Sequence, residues 1–179
     1  MRLQVVDSLE LNTFEFSQNY FMFWDKLEKA NYFLENIIKS RDESYESRLI
    51  THLLKAPVQD GGQWDMFVNL INKYGAVPKD VMPETNHSSK SGAMNYILTH
   101  KLREFASILR KKPAKNSSAL KKDMMETIYN LLAMFLGQPP DLINWSTRNK
   151  DNRHIVISDM TPIDFCKKYA DINLSLIHI

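Results

Sequence analysis

Apolar side chains recur at helical spacing over most of the chain, so helices are the dominant prediction. Tyr20, Phe23, Trp24, Leu27, Leu34, Ile37 and Ile38 mark one face of a helix ending near Ser40. Ser17 reads as its cap, and Asp25, Lys26, Glu28, Lys29 and Glu35 fall elsewhere on its surface. A second helix is predicted from about Glu43 to Lys55, with Tyr45, Leu49, Leu53 and Leu54 inward and Pro57 closing it. The adjacent glycine pair in Gln59-Asp60-Gly61-Gly62 then precedes a third pattern of Trp64, Phe67, Val68 and Ile71, which Gly75 stops.

Val77-Pro78 through Pro83 reads as extended loop, because each proline biases its predecessor away from the helical region. Asn86 to Gly92 is polar and expected to be mobile. Two further helices are predicted, about Ala93 to Lys111 on Tyr96, Ile97, Leu102, Phe105 and Leu109, and about Ser118 to Leu136 on Met125, Ile128, Leu132 and Phe135. Pro113 to Ser117 separates them, and Gly137 with Pro139 and Pro140 ends the second. Leu142 to Thr147 and His154 to Ser158 alternate like a hairpin with Asn149 to Asn152 as its turn. Thr161-Pro162 opens a last helix as cap and first turn. No internal repeat or low-complexity tract is present.

Composition narrows the class. The 179 residues are 44% hydrophobic and 25% charged, which excludes disorder, collagen and coiled-coil arrays. On a prior of about 150 residues per domain, the length suggests one domain or a little more. Lys plus Arg is 23 against 21 acidic residues, so a strongly polybasic protein is excluded and only a local basic patch is left open. A single cysteine excludes an internal disulfide framework and fits a reducing, cytoplasmic setting. No apolar run approaches the roughly 18 residues of a membrane span. Val5-Val6 is too little for a signal-peptide core.

Few residues suggest chemistry on their own. Cys166 has no recognisable nucleophile motif around it and reads as a structural thiol. His52, His87, His100, His154 and His178 lack metal-ligand spacing, so no metal or cofactor is expected. Lys101, Arg103, Arg110, Lys111, Lys112, Lys115, Lys121 and Lys122 stand against Glu104 alone. They form either a solvated face or, as the alternative function, a helical module binding nucleic-acid phosphates. A purely structural interaction domain is the third reading. The aromatic stripe from Tyr20 to Phe33 reads as core. In Asp60-Gly61-Gly62-Gln63-Trp64 the glycines either make a sharp turn or leave backbone groups open to a peptide ligand.

Longer motifs decide between these. Phe14-Glu15-Phe16-Ser17-Gln18-Asn19-Tyr20 with Phe23-Trp24-Asp25-Lys26, then Gln59-Asp60-Gly61-Gly62-Gln63-Trp64-Asp65-Met66, occur in order with Lys73-Tyr74-Gly75-Ala76-Val77-Pro78 and Met82-Pro83-Glu84. Met94-Asn95, Lys101-Leu102-Arg103-Glu104, Leu136-Gly137-Gln138-Pro139-Pro140, Arg148-Asn149-Lys150-Asp151 and Thr161-Pro162 follow. Together they resemble the bleomycin hydrolase and bacterial aminopeptidase C branch of the papain-like cysteine peptidases.

The resemblance implies an α+β papain-like fold, of which this piece is mostly helical with one short β-hairpin. Residues 1–86 would belong to the papain-like helical subdomain and 87–173 to a helical insertion. It further implies a cytoplasmic thiol aminopeptidase acting on peptide substrates and assembled as a homo-hexamer, some relatives of which bind nucleic acid. Gly61 and Gly62 look like the glycine pair whose backbone holds the substrate, with Gln59 and Asp60 shaping the turn and Trp64 and Met66 packed beneath. Ser17 and Gln18 look structural. By the family pattern the nucleophilic cysteine falls before Met1 and the catalytic histidine and asparagine after Ile179, so no catalytic residue is expected here. Cys166 occupies a position usually aromatic in the family. The resemblance stops near Asn173, and Leu174 to Ile179 back-translates to the end of a transposon used in sequencing libraries, so this tail is expected to be adapter read-through.

Overall fold

The computed structural model describes residues 1–111 and 116–170. Lys112, Pro113, Lys115, His178 and the 174–179 tail lie outside the described residues. The chain divides into two compact units interleaved along the sequence.

The first unit combines Met1–Trp24, Gly62–Glu84 and the chain from Pro139 onward. It holds α1 (Arg2–Ser8), the first turns of α2 (Gln18–Lys39), α4 (Trp64–Tyr74), the hairpin of β1 (Ile143–Arg148) and β2 (His154–Met160), and α8 (Pro162–Tyr169). Several predicted stops and caps are present. Ser17 Oγ accepts from the Tyr20 N–H at 3.0 Å and donates to the Met82 carbonyl, tying the start of α2 to the extended segment before Glu84. Thr161 Oγ accepts from the Asp164 N–H at 3.1 Å. Gly75 ends α4 with its N–H on the Ile71 carbonyl at 2.8 Å. The hairpin turn is organised by Asn149, whose Oδ1 accepts from the N–H groups of Asp151 and Arg153. An isolated bridge joins Phe16 to Pro78. The core gathers Phe14, Phe165 and Trp145, with Ile71, Ala76 and Cys166 buried together. The helix α1 was not predicted, since only Val5 of its residues is buried and no periodic stripe marks it.

The second unit combines Asp25–Gly61 and Thr85–Gln138. It contains the rest of α2, α3 (Arg48–Lys55), α5 (Asn86–Ser89), α6 (Gly92–Lys111) and α7 (Ser117–Leu136). Four expectations are corrected here. First, α3 begins at Arg48, because Ser47 caps it by accepting from the Ile50 N–H. Its buried residue is Ile50, while Tyr45 and Leu49 are exposed. Second, the polar stretch after Thr85 is not a loose loop. Thr85 and Ser88 form a reciprocal capping box that closes the short helix α5. Third, α6 buries Met94, Leu98, Leu102, Phe105, Ala106 and Leu109, and leaves Tyr96 and Ile97 exposed. Fourth, on α7 Met124 rather than Met125 is buried, with Ile128, Leu132 and Leu136.

Candidate functional site

The buried face of α2 runs Phe23, Lys26, Ala30, Phe33, Ile37, the three-then-four spacing of a packed helix, with a lysine in a core position. Lys26 is only 1% exposed. Its ammonium donates to the Val58 carbonyl at 2.8 Å and to Asp60 Oδ1 at 2.6 Å. A buried charge must be paired in this way or its desolvation is uncompensated.

Lys29 lies one turn further on. It donates to Asp25 Oδ2 at 2.6 Å, to the Gln59 carbonyl at 3.0 Å and to the Gly61 carbonyl at 2.6 Å. All three ammonium protons are thereby used. From the start of α6, Ser91 Oγ and Asn95 Nδ2 each donate to Asp60 Oδ2 at 2.9 Å. The Gln59-Asp60-Gly61 turn is thus held by two lysines, a serine and an asparagine. Gly61 takes φ +84°, and a Cβ there would meet nothing within 4 Å.

Burial pulls the Lys26 ammonium below the ordinary lysine range, partly offset by the hydrogen bond it donates to Asp60. Partial burial works against ionisation of Asp60, but the hydrogen bonds from Lys26, Ser91 and Asn95 outweigh it and hold the carboxyl below the usual range.

Gly62, first residue of its segment in the other unit, is exposed. Its N–H and C=O make no hydrogen bond to any described residue. A Cβ at Gly62 would lie 3.5 Å from the Met66 sulfur, so Met66 sits directly beside it. Trp64 does not go inward as its helical position suggested. It remains 45% exposed, with its ring 5.7 Å from that of Phe67.

Cys166 is enclosed by the fold. It is buried, its sulfur lies 3.9 Å from the Ala76 carbonyl, and burial pushes its thiol up to about 11. No histidine hydrogen-bonds it among the described residues. Likewise among the described residues, no three His, Cys, Asp or Glu side chains converge to hold a metal ion.

The basic stretch is partly consumed by the fold. Arg103 donates to the Leu54 and Lys55 carbonyls at the end of α3. Arg110 donates to the Ser40 and Glu43 carbonyls and lies 4.3 Å over the Tyr45 ring. Lys101 pairs with Glu104 at 2.9 Å and Lys121 with Glu35 at 2.7 Å. Lys111 and Lys122 are exposed.

Periodicity did reveal the glycine pair but missed Lys26 and Lys29, since lysine on a helix is read as solvated. The signal was present in the register: Lys26 interrupts an otherwise apolar series from Phe23 to Ile37.

Among the described residues the chain is mostly helical with one hairpin, and its fold is the α+β papain-like fold of a solved relative. It superposes on the crystal structure of PepW from Lactobacillus rhamnosis HN001 with a TM-score of 0.93 and 44% identity, covering 98% of this chain and 40% of that one. Residues 1–177 match the Peptidase C1-like family, and the chain belongs to that family. Aminopeptidase C of Listeria innocua is 52% identical over 169 residues, 93% of this chain and 38% of that protein. Bleomycin hydrolase of Oryctolagus cuniculus is 40% identical over 177 residues, 95% of this chain and 64% of that protein. Mitochondrial cysteine proteinase 1 of Saccharomyces cerevisiae is 41% identical over 186 residues, 98% of this chain and 38% of that protein. The chain therefore spans about two fifths of the Listeria and yeast relatives it matches. No helix among the described residues is long and apolar enough to cross a membrane.

Proposed function

We propose that this chain is the peptide-holding part of a cysteine aminopeptidase that removes N-terminal residues from peptides. The observation that carries the reading is the Gly62 backbone, exposed and unpaired, next in the chain to a turn held by Lys26 and Lys29. A peptide laid along Gly62 can exchange main-chain hydrogen bonds with it, as an added strand does with a sheet edge. Within their unit, Gly61 and the side chain of Asp60 fix the turn and Gln59 contributes its carbonyl to the clamp, while Trp64 and Met66, exposed in the same unit as Gly62, offer apolar surface there.

The chemistry belongs to residues outside this chain. A thiolate attacks the scissile carbonyl, the leaving amine takes a proton from an imidazolium, and water then hydrolyses the thioester. Cys166 cannot serve, because a thiol pushed up to about 11 is almost wholly protonated at neutral pH. The cytoplasmic setting and hexameric assembly are part of the same reading, on family resemblance. Among the described residues of 101–122, Lys101, Arg103, Arg110 and Lys121 are engaged within the fold, which weighs against the nucleic-acid alternative.

The test pairs the 179-residue chain with the full-length protein carrying it. Aminoacyl fluorogenic substrates are expected to be turned over by the full-length protein and left intact by the chain alone. Alkylator-sensitive turnover by the chain, or none by the full-length protein, contradicts the reading.

A further inference from the structure

The peptide unit between Gly61 and Gly62 is flanked by glycine on both sides, so no Cβ opposes its reversal. Peptide planarity makes the Gly61 carbonyl and the Gly62 N–H point in opposite directions from one rigid plane. Whatever fixes the carbonyl therefore aims the N–H. In this structure the Gly61 carbonyl rests on the Lys29 ammonium at 2.6 Å, and the same ammonium holds the Gln59 carbonyl at 3.0 Å. Lys29 is itself oriented by Asp25 at 2.6 Å and is only 11% exposed. Lys26 fixes the intervening residue through Asp60 at 2.6 Å.

We propose that Lys29, supported by Lys26, is a positioning residue that selects the orientation of the Gly61–Gly62 peptide and so presents the Gly62 N–H to a peptide substrate. The inference rests on the peptide-holding reading above. A charged donor suits the task, because hydrogen bonds from an ammonium are shorter and stronger than neutral ones. Holding two carbonyls from one nitrogen also fixes the span between Gln59 and Gly61, where glycine alone would leave the backbone free. The helix supplies rigidity that a loop residue could not.

The experiment uses the full-length peptidase with Lys29→Met and Lys29→Arg, read by steady-state kinetics on a peptide substrate and by crystallography. For Lys29→Met, KM is expected to rise roughly tenfold with kcat within about twofold, the loss of charged hydrogen bonds that act on binding. Lys29→Arg keeps donors on that site and is expected to recover most of the difference. In the Lys29→Met crystal structure the Gly61–Gly62 peptide is expected to be reversed or present in two orientations. Either a KM within about twofold of wild type or an unmoved peptide plane overturns the proposal. If Lys29→Met does not fold, Lys29→Gln with the same readouts replaces it. If the wild-type enzyme cleaves no peptide, the peptidase reading fails separately, and the orientation of the peptide plane alone decides the role of Lys29.

Discussion

Gly61 and Gly75 both sit at positive φ, +84° and +73°, but different forces require them. Gly75 is buried, and a Cβ there would lie 2.2 Å from the Pro162 carbonyl carbon and 2.4 Å from the Ile163 nitrogen. Its neighbour Ala76 donates to the Pro162 carbonyl, so two backbones meet at this point with no room for a side chain. Gly61 is exposed, with open space around it, and its turn is held by ammonium groups from α2. One glycine is demanded by packing and the other by conformation and access. A turn shaped by packing serves the core. A turn held by ammonium groups on one side can stay open on the other.

The contrast predicts an order of effects. Gly75→Ala is expected to be the most damaging, at about 3–5 kcal/mol or outright failure to fold, since steric overlap with a backbone adds to left-handed strain. A chemical denaturation series measures it, and a loss no larger than that of Gly61→Ala breaks the comparison. Lys26→Met comes next, at roughly 2 kcal/mol, because the Val58 carbonyl and one Asp60 oxygen lose a donor. Gly61→Ala is expected to cost only about 1 kcal/mol, the conformational term without a clash.

The smallest effect is a dependence on pH. The Asp60 carboxyl is held below its usual range, so its contribution is present above the unfolded value near about pH 4 and fades as pH falls through the folded value. The melting temperature of wild type is therefore expected to exceed that of Asp60→Asn at neutral pH and to approach it on acidification. A gap that widens toward acid shows that Asp60 is not stabilised as an anion by Lys26, Ser91 and Asn95.

Local rules were enough for the ends of elements. Ser17, Thr161, Gly75 and Gly137 could be placed as caps and stops because their hydrogen bonds reach residues nearby in sequence. The glycine pair was visible simply as two adjacent glycines ahead of a helical pattern. What was hidden depends on distant partners. Lys26 and Lys29 are buried because residues 58–61 return to cover them, which no window along α2 contains. The phase of α3 was shifted because Leu49 and Ile50 are equally apolar, and only packing chose Ile50. In α6, Tyr96 and Leu98 were ambiguous in the same way. The polar 86–92 stretch was read as mobile because its order comes from a two-residue hydrogen-bond exchange, Thr85 with Ser88, rather than from apolar burial.

In the proposed function this chain holds the peptide and the attacking sulfur lies elsewhere. Brief treatment of the active full-length protein with a thiol alkylator, followed by mass spectrometry of the modified peptides, tests it most directly. Loss of activity is expected to track labelling of a cysteine outside residues 1–179 while Cys166 stays unmodified. Inactivation that tracks labelling of Cys166 would contradict it.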